Sequence, residues 1–175
     1  VSGLTWEFDQ KSAWELFTDP GWARHFTPAQ RRLFRTHLPW TRLVRDIRTT
    51  DPRGRPTDLL AYIRRHKDAL VLKPNTLYGG QGVVMGHTVT QPVWERTLAR
   101  GLRRGEDRHV VQQIAPIAQH AFPVLEGLRP RRVERCVVSG FFFNSSGAGL
   151  VGRFSADPVV NVSRGGGLLA AFVVS

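Results

Sequence analysis

The sequence holds a single cysteine, Cys136, among 175 residues. An internal disulfide is therefore excluded, and this thiol usage suits a reducing, cytoplasmic compartment. Long apolar runs are missing too. None approaches the roughly 20 residues that cross a bilayer, and no secretory signal pattern opens the chain. No membrane partner is expected. Acidic residues are outnumbered, 14 Asp and Glu against 25 Lys and Arg, which leaves a formal net charge of +11. Lysine is the scarce member of that excess, 3 residues against 22 arginines. The arginines are scattered (Arg31/Arg32, Arg64/Arg65, Arg103/Arg104, Arg131/Arg132) and form no basic tail. Nucleic acid is thus not the leading expectation, whereas a polyanionic small ligand such as a nucleotide suits the same sign.

What is present is ordinary for a globular chain: 41% hydrophobic and 22% charged residues, enough for one domain with a proper core. Two helix starts are marked by capping boxes, "SAWE" at residues 12–15 and "TPAQ" at 27–30, the second with proline at the first helical position. Trp14, Leu16, Phe17, Leu33 and Phe34 on these helices are expected to pack on a core. "TTDPRGRPTD" (49–58) reads as a turn-rich connector, and residues 58–66 as a further helix.

From residue 69 the pattern becomes strand, glycine loop, strand. A helix follows, with Thr90 as cap, Pro92 in the first turn and Val93, Trp94, Leu98 and Leu102 on one face. "HVVQQIA" (109–115) reads as a strand, and the chain from residue 133 as an antiparallel hairpin or meander turning at "NSSGAG" and "SADP". The last residues, "AAFVVS", read as a strand cut short, as in a fragment, or as a tightly packed terminus. The expected class is α+β, a helical segment over residues 1–68 packing on a sheet-rich portion over 69–175 as one compact domain.

The stretch "LVLKPNTLYGGQGVVMG" (70–86) carries the chemistry. Gly79, Gly80 and Gly82 permit positive φ and close approach of backbone amides to a ligand, and Lys73 sets a compact positive charge ahead of them. This is neither a Walker loop, since the lysine precedes the glycines, nor a dinucleotide fingerprint, since a strand follows. A strand–loop–strand lid over phosphates fits. So does a glycine-rich hairpin with a surface lysine.

The order of motifs resembles the ATP-grasp superfamily. "LVLKPN", "YGGQGVV", "PWTRLVRD" and "NVSRGGG" are similar to circularly permuted ATP-grasp proteins related to glutathionylspermidine synthase. The resemblance runs from about the first helix to the C-terminus. It implies the C-terminal part of a longer protein, whose upstream segment or a partner chain completes the acceptor site. It also implies an ATP-dependent ligase joining a small-molecule carboxylate to an amine through an acyl phosphate, with ATP and Mg2+ as cofactors. On that resemblance Lys73 contacts the α- and β-phosphates, and Gly79, Gly80, Gln81 and Gly82 form the lid. Gln112 and Gln113 hold the adenine edge, Arg153 and Arg164 neutralise phosphate oxygens, and Asn161 ligates Mg2+. The chain departs from the pattern at two points: Val159 stands where a metal-binding Glu is usual, and Gln113 where relatives often carry Glu. Glu134 and Asp157 are the remaining carboxylate candidates.

Two rival readings stay open. One is a module that holds nucleotide or a partner protein without turnover. The other is a basic nucleic-acid-binding protein, which predicts steeply salt-dependent association. Elsewhere, six histidines (25, 37, 66, 87, 109, 120) show no metal-ligand spacing, Cys136 reads as a buried inert thiol, and Ser145 and Ser146 as turn residues. Gly165, Gly166 and Gly167 admit a substrate or make a turn. Arg42 and Arg45 reach an anionic acceptor across a helical turn or form surface ion pairs.

Overall fold

The computed structural model describes residues 9–103, 108–162 and 165–170, with the side chains of 126 and 141–144 outside that description. The chain is α+β with antiparallel sheets. It divides into two compact units, Val1–Leu77 with Gln81–Ala115, and Tyr78–Gly80 with Pro116–Ser175. No helix among the described residues is long and apolar enough to cross a membrane.

In the first unit, β1 (Thr41–Leu43), β6 (His109–Gln113), β4 (Leu70–Pro74) and β5 (Val84–Met85) form one sheet in that spatial order. Every pairing is antiparallel, with Leu72 opposite Val111 and Lys73 opposite Val110. Because directly opposed residues share a face and successive residues alternate, Leu70, Leu72 and Val111 point one way and Lys73, Val110 and Gln112 the other. The first face carries the core. There α3 (Leu59–Arg65) buries Leu59 and Ile63, and α4 (Gln91–Gly101) buries Trp94 and Leu98, each pair one turn apart. Asp58 caps α3 by accepting from the Ala61 amide at 2.8 Å. The boundary read at residue 68 lies inside this unit, since β1 comes from the earlier segment and pairs with β6 from the later one. Helices and strands are interleaved here and do not follow one another in blocks.

The two capping boxes part company. Ahead of α2 (Pro28–His37), Thr27 accepts from the Gln30 amide and Gln30 accepts from the Thr27 amide, as the sequence predicts. Ahead of α1 (Ala13–Thr18), Ser12 has helical φ and ψ and its side chain caps nothing. The amide that Glu15 would cap donates instead to Asn75 Oδ1 at 2.8 Å. Glu15 is released to the Leu43 amide at 3.0 Å and Arg45 at 2.7 Å, and is buried. Thr27→Ala is therefore expected to cost about 1 kcal/mol of stability in a urea melt, and Ser12→Ala less than about 0.5 kcal/mol.

The aromatic residues of these helices stay out of the main core. Phe17, Phe26 and Phe34 form a cluster of their own with ring centroids 5.0–5.8 Å apart. Trp14, Leu16 and Leu33 remain exposed. The connector at 49–58 is a hairpin of β2 (Arg48–Thr50) and β3 (Pro56–Asp58), turned where Asp51 accepts from the Arg53 and Arg55 amides.

The second unit is an antiparallel meander. It starts earlier than the sequence suggests. β7 (Ala118–Glu126) pairs along its whole length with β8 (Arg129–Asn144), which pairs with β9 (Gly147–Ser155), and β10 (Gly167–Leu169) closes the sheet. Pro123 obscures β7 in the sequence, but an edge strand tolerates proline because one side needs no ladder donor. The strand-like tail at 171–175 lies outside the described residues.

Candidate functional site

Of the three lysines, two are held by pairs of main-chain oxygens. Lys11 Nζ donates to the carbonyls of Leu77 at 2.6 Å and Asn75 at 3.3 Å. Lys67 Nζ donates to those of Gly86 at 2.7 Å and Val89 at 3.0 Å, and to Asp68. These two clamp the entry to the glycine segment and the chain beyond β5. An ammonium on a slender stem suits converging carbonyls where a planar guanidinium fork does not.

Lys73 differs. Its ammonium, partly buried at the end of β4, donates to one neutral acceptor, Gln112 Oε1, at 2.6 Å. Gln112 Nε2 donates onward to Thr41 Oγ1 at 2.9 Å, and Thr41 to the Pro39 carbonyl at 2.9 Å. The relay crosses β4, β6 and β1 on the sheet face opposite the core. No carboxylate pairs with Lys73 among the described residues. Burial lowers its pKa below the usual 10.5, and the nearby Lys11 charge adds to the fall. An ammonium has three donors, and only one of these is used within the described structure.

Lys11 was not found from the sequence, and neither was Asn75, which holds it. Asn75 is buried, accepts from the Ser12 amide, donates to Gln10 Oε1 at 3.0 Å and receives the Lys11 amide on its carbonyl. Burial also lowers the Lys11 pKa, against Asp9, which raises it. The scarcity of lysine was the one available signal. Contact between residues 64 positions apart has no local trace.

Gly79, Gly80 and Gly82 all lie in the left-handed region, at φ 64°, 76° and 66°. At Gly82 a Cβ would meet Pro74 Cγ at 2.6 Å, so the residue closes the segment against the end of β4. Gly79 and Gly80 group with the second unit, whereas Gln81, exposed, and Gly82 belong to the first. Gln113 is exposed and points to the opposite sheet face from Gln112, its amide donating to the Trp40 carbonyl at 2.9 Å. Thus the fold brings Lys73 and Gln112 together and turns the two glutamines apart.

The remaining candidates lie in the second unit. Arg153 is exposed on β9, opposite Val138 and Leu168. Glu134 is exposed on β8, opposite Ala121. Asn161 follows β9, and its carbonyl accepts from the Gly166 amide at 3.0 Å. Arg164 lies outside the described residues. A Cβ on Gly166 would meet the Asn161 and Phe154 carbonyls at 2.7 Å, and one on Gly167, which opens β10 opposite Phe154, would meet the Phe154 ring at 2.5 Å. Asp157 is engaged in the turn after β9, its carboxylate accepting from the Val159 amide at 2.7 Å. Among the described residues no group of three or more His, Cys, Asp or Glu is placed to hold a metal. Mg2+ is normally anchored by one or two carboxylates with phosphate, and a lone exposed Glu134 on a sheet does not fit that requirement.

Arg42 and Arg45 prove structural. Arg42 lies on a strand, fully buried, and Arg45 pairs with Glu15. Cys136 is buried and unpaired with any other cysteine. Comparison with protein-family models, curated proteins and solved structures finds no match.

Proposed function

We propose that the chain binds a nucleoside triphosphate through Lys73, as the nucleotide-binding portion of an ATP-dependent carboxylate–amine ligase of the ATP-grasp type. The observation that carries this reading is the partly buried Lys73 ammonium with a neutral amide as its partner and no carboxylate beside it. A desolvated cation without a counter-charge is unfavourable, and a phosphate would restore what solvent and carboxylate do not supply. The Gln112–Thr41 relay fixes the lysine's direction, and Lys11 adds a second positive charge near it.

In the reaction so proposed, a substrate carboxylate oxygen attacks the γ-phosphorus and ADP leaves. The amine nitrogen then attacks the acyl carbon and inorganic phosphate leaves. The protein's contribution to such a transfer is positioning and charge neutralisation. Lys73 takes the α- and β-phosphates, and the amides of Gln81 and Gly82 cover them. No step is assigned to Mg2+, because Asn161 and Glu134 do not make its donor set.

That deficit, together with Val159 and Gln113 at positions where the ATP-grasp proteins it resembles often carry Glu, favours a second reading in which nucleotide is held without turnover. The two are separated by titrating ATP into the protein and assaying ADP release with pooled carboxylates and hydroxylamine as the amine. ADP formation with hydroxamate supports the ligase. Saturable ATP binding without ADP supports the holding module. No ATP binding removes both.

A further inference from the structure

A cleft in the first unit lies away from Lys73. It has a volume of about 480 Å³ and is bounded by α2, the 3₁₀ helix Pro20–His25 and the turn between β2 and β3. Gln113 lines it, so it opens on the sheet face opposite the Lys73–Gln112 relay. Phe26 and Trp40 line it, together with Arg31, Arg35 and Arg53. Arg31 and Arg35 are one helical turn apart on α2, a helix without an acidic residue, and therefore project side by side.

The charge of this cleft is uncompensated. Two acids border it, and both are already satisfied. Asp19 accepts from the Gly21 amide at 2.9 Å and faces the buried Arg42 guanidinium at 4.0 Å. Asp51 accepts from the Arg53 and Arg55 amides and pairs with the Arg55 guanidinium at 2.8 Å. Desolvation opposes its ionisation, but those bonds prevail and hold its pKa below the usual carboxylate range. Arg31, Arg35 and Arg53 have no ion pair with any described residue.

We infer that this cleft is a second binding site, for a small organic acid whose carboxylate is held by Arg31 and Arg35 and whose apolar body lies against Phe26 and Trp40. A guanidinium fork matches a carboxylate edge-on with two parallel hydrogen bonds. The volume is in the range of small-molecule sites, and the aromatic lining rewards a flat apolar group that a bare inorganic anion lacks. The site is independent of nucleotide binding, because it shares neither face nor side chain with Lys73.

Phenylacetate is the probe, with phenylacetamide as its uncharged counterpart and inorganic phosphate as a charge without apolar body. Binding is read from the amide and arginine Nε shifts of residues 31, 35, 50, 51, 53, 54 and 113. The expected result is saturable phenylacetate binding, at least about tenfold tighter than the amide or phosphate. It should weaken about tenfold in an Arg31→Gln/Arg35→Gln variant of unchanged melting temperature, and persist in Lys73→Met. Equal affinity for phenylacetamide overturns the role of the arginines. Equal affinity for phosphate overturns the organic acid in favour of a bare anion. Absence of saturable shifts overturns the site.

Discussion

Replacing Lys73 by methionine is expected to raise the melting temperature of the nucleotide-free protein while lowering its affinity for ATP about a hundredfold, ~2.7 kcal/mol. Both effects have one cause. The ammonium is partly buried with one neutral acceptor, and its lowered pKa means that folding disfavours the charged form. The unfolded chain then binds more protons than the folded one, so this residue's penalty is fully present below the folded pKa. It disappears as pH rises to the ordinary 10.5. The stabilisation by Lys73→Met should accordingly be seen at pH 7, fade as pH rises through the lowered pKa of Lys73, and be gone above about pH 10.5 in thermal melts. Methionine keeps the apolar stem and removes the charge. A variant less stable than the parent at pH 7, with unchanged ATP affinity, would mean that Lys73 serves the fold alone. Strain between stability and ligand binding is common at functional sites.

Arg42 is expected to behave in the opposite way. Arg42→Lys should lower the stability of the first unit by on the order of 3 kcal/mol in a urea melt and leave ATP affinity within about twofold. The guanidinium is fully buried, with Nε on Thr49 Oγ1 at 2.8 Å, Nη1 on the Thr41 carbonyl at 2.7 Å and Nη2 on Thr50 Oγ1 at 3.1 Å. Further contacts reach the Thr18 carbonyl at 3.2 Å, Asp19 at 4.0 Å and the Trp40 ring, whose centroid is 5.0 Å away. Desolvation lowers its pKa, against Asp19 and Glu15, which raise it. A lysine has one nitrogen at this depth and leaves most of these acceptors empty, so the exchange is not conservative. A loss below about 1 kcal/mol would show that the acceptors find other partners.

These two residues illustrate what a sequence exposes and what it conceals. Lys73 was legible because its signal is local: a strand, a lysine, a proline and three glycines in succession. Arg42 was not, because "PWTRLVRD" gives no sign that the segment is a strand whose arginine turns inward to threonines from two other segments. The same division separates Thr27 from Ser12. Both stand in the right pattern, but only at Ser12 does a remote residue, Asn75, take the amide that the capping partner needs. The helix over residues 58–66 and the antiparallel pairing around the glycine loop followed from caps and alternation. The exposure of Trp14 and Leu33 did not, because their apolar spacing is that of a core-facing helix. Lys11, Asn75 and the arginine-lined cleft arise from long-range contacts, which periodicity and spacing do not encode.

The central claim concerns one ammonium group, and its titration tests it directly. The Cε and Nζ resonances of Lys73 are followed by NMR against pH, in the free protein and with a non-hydrolysable ATP analogue. The account predicts a midpoint below 10.5 in the free protein and a clear upward move when the triphosphate is bound, because an adjacent polyanion favours the charged form. A midpoint that stays in place while the analogue saturates the protein would contradict it.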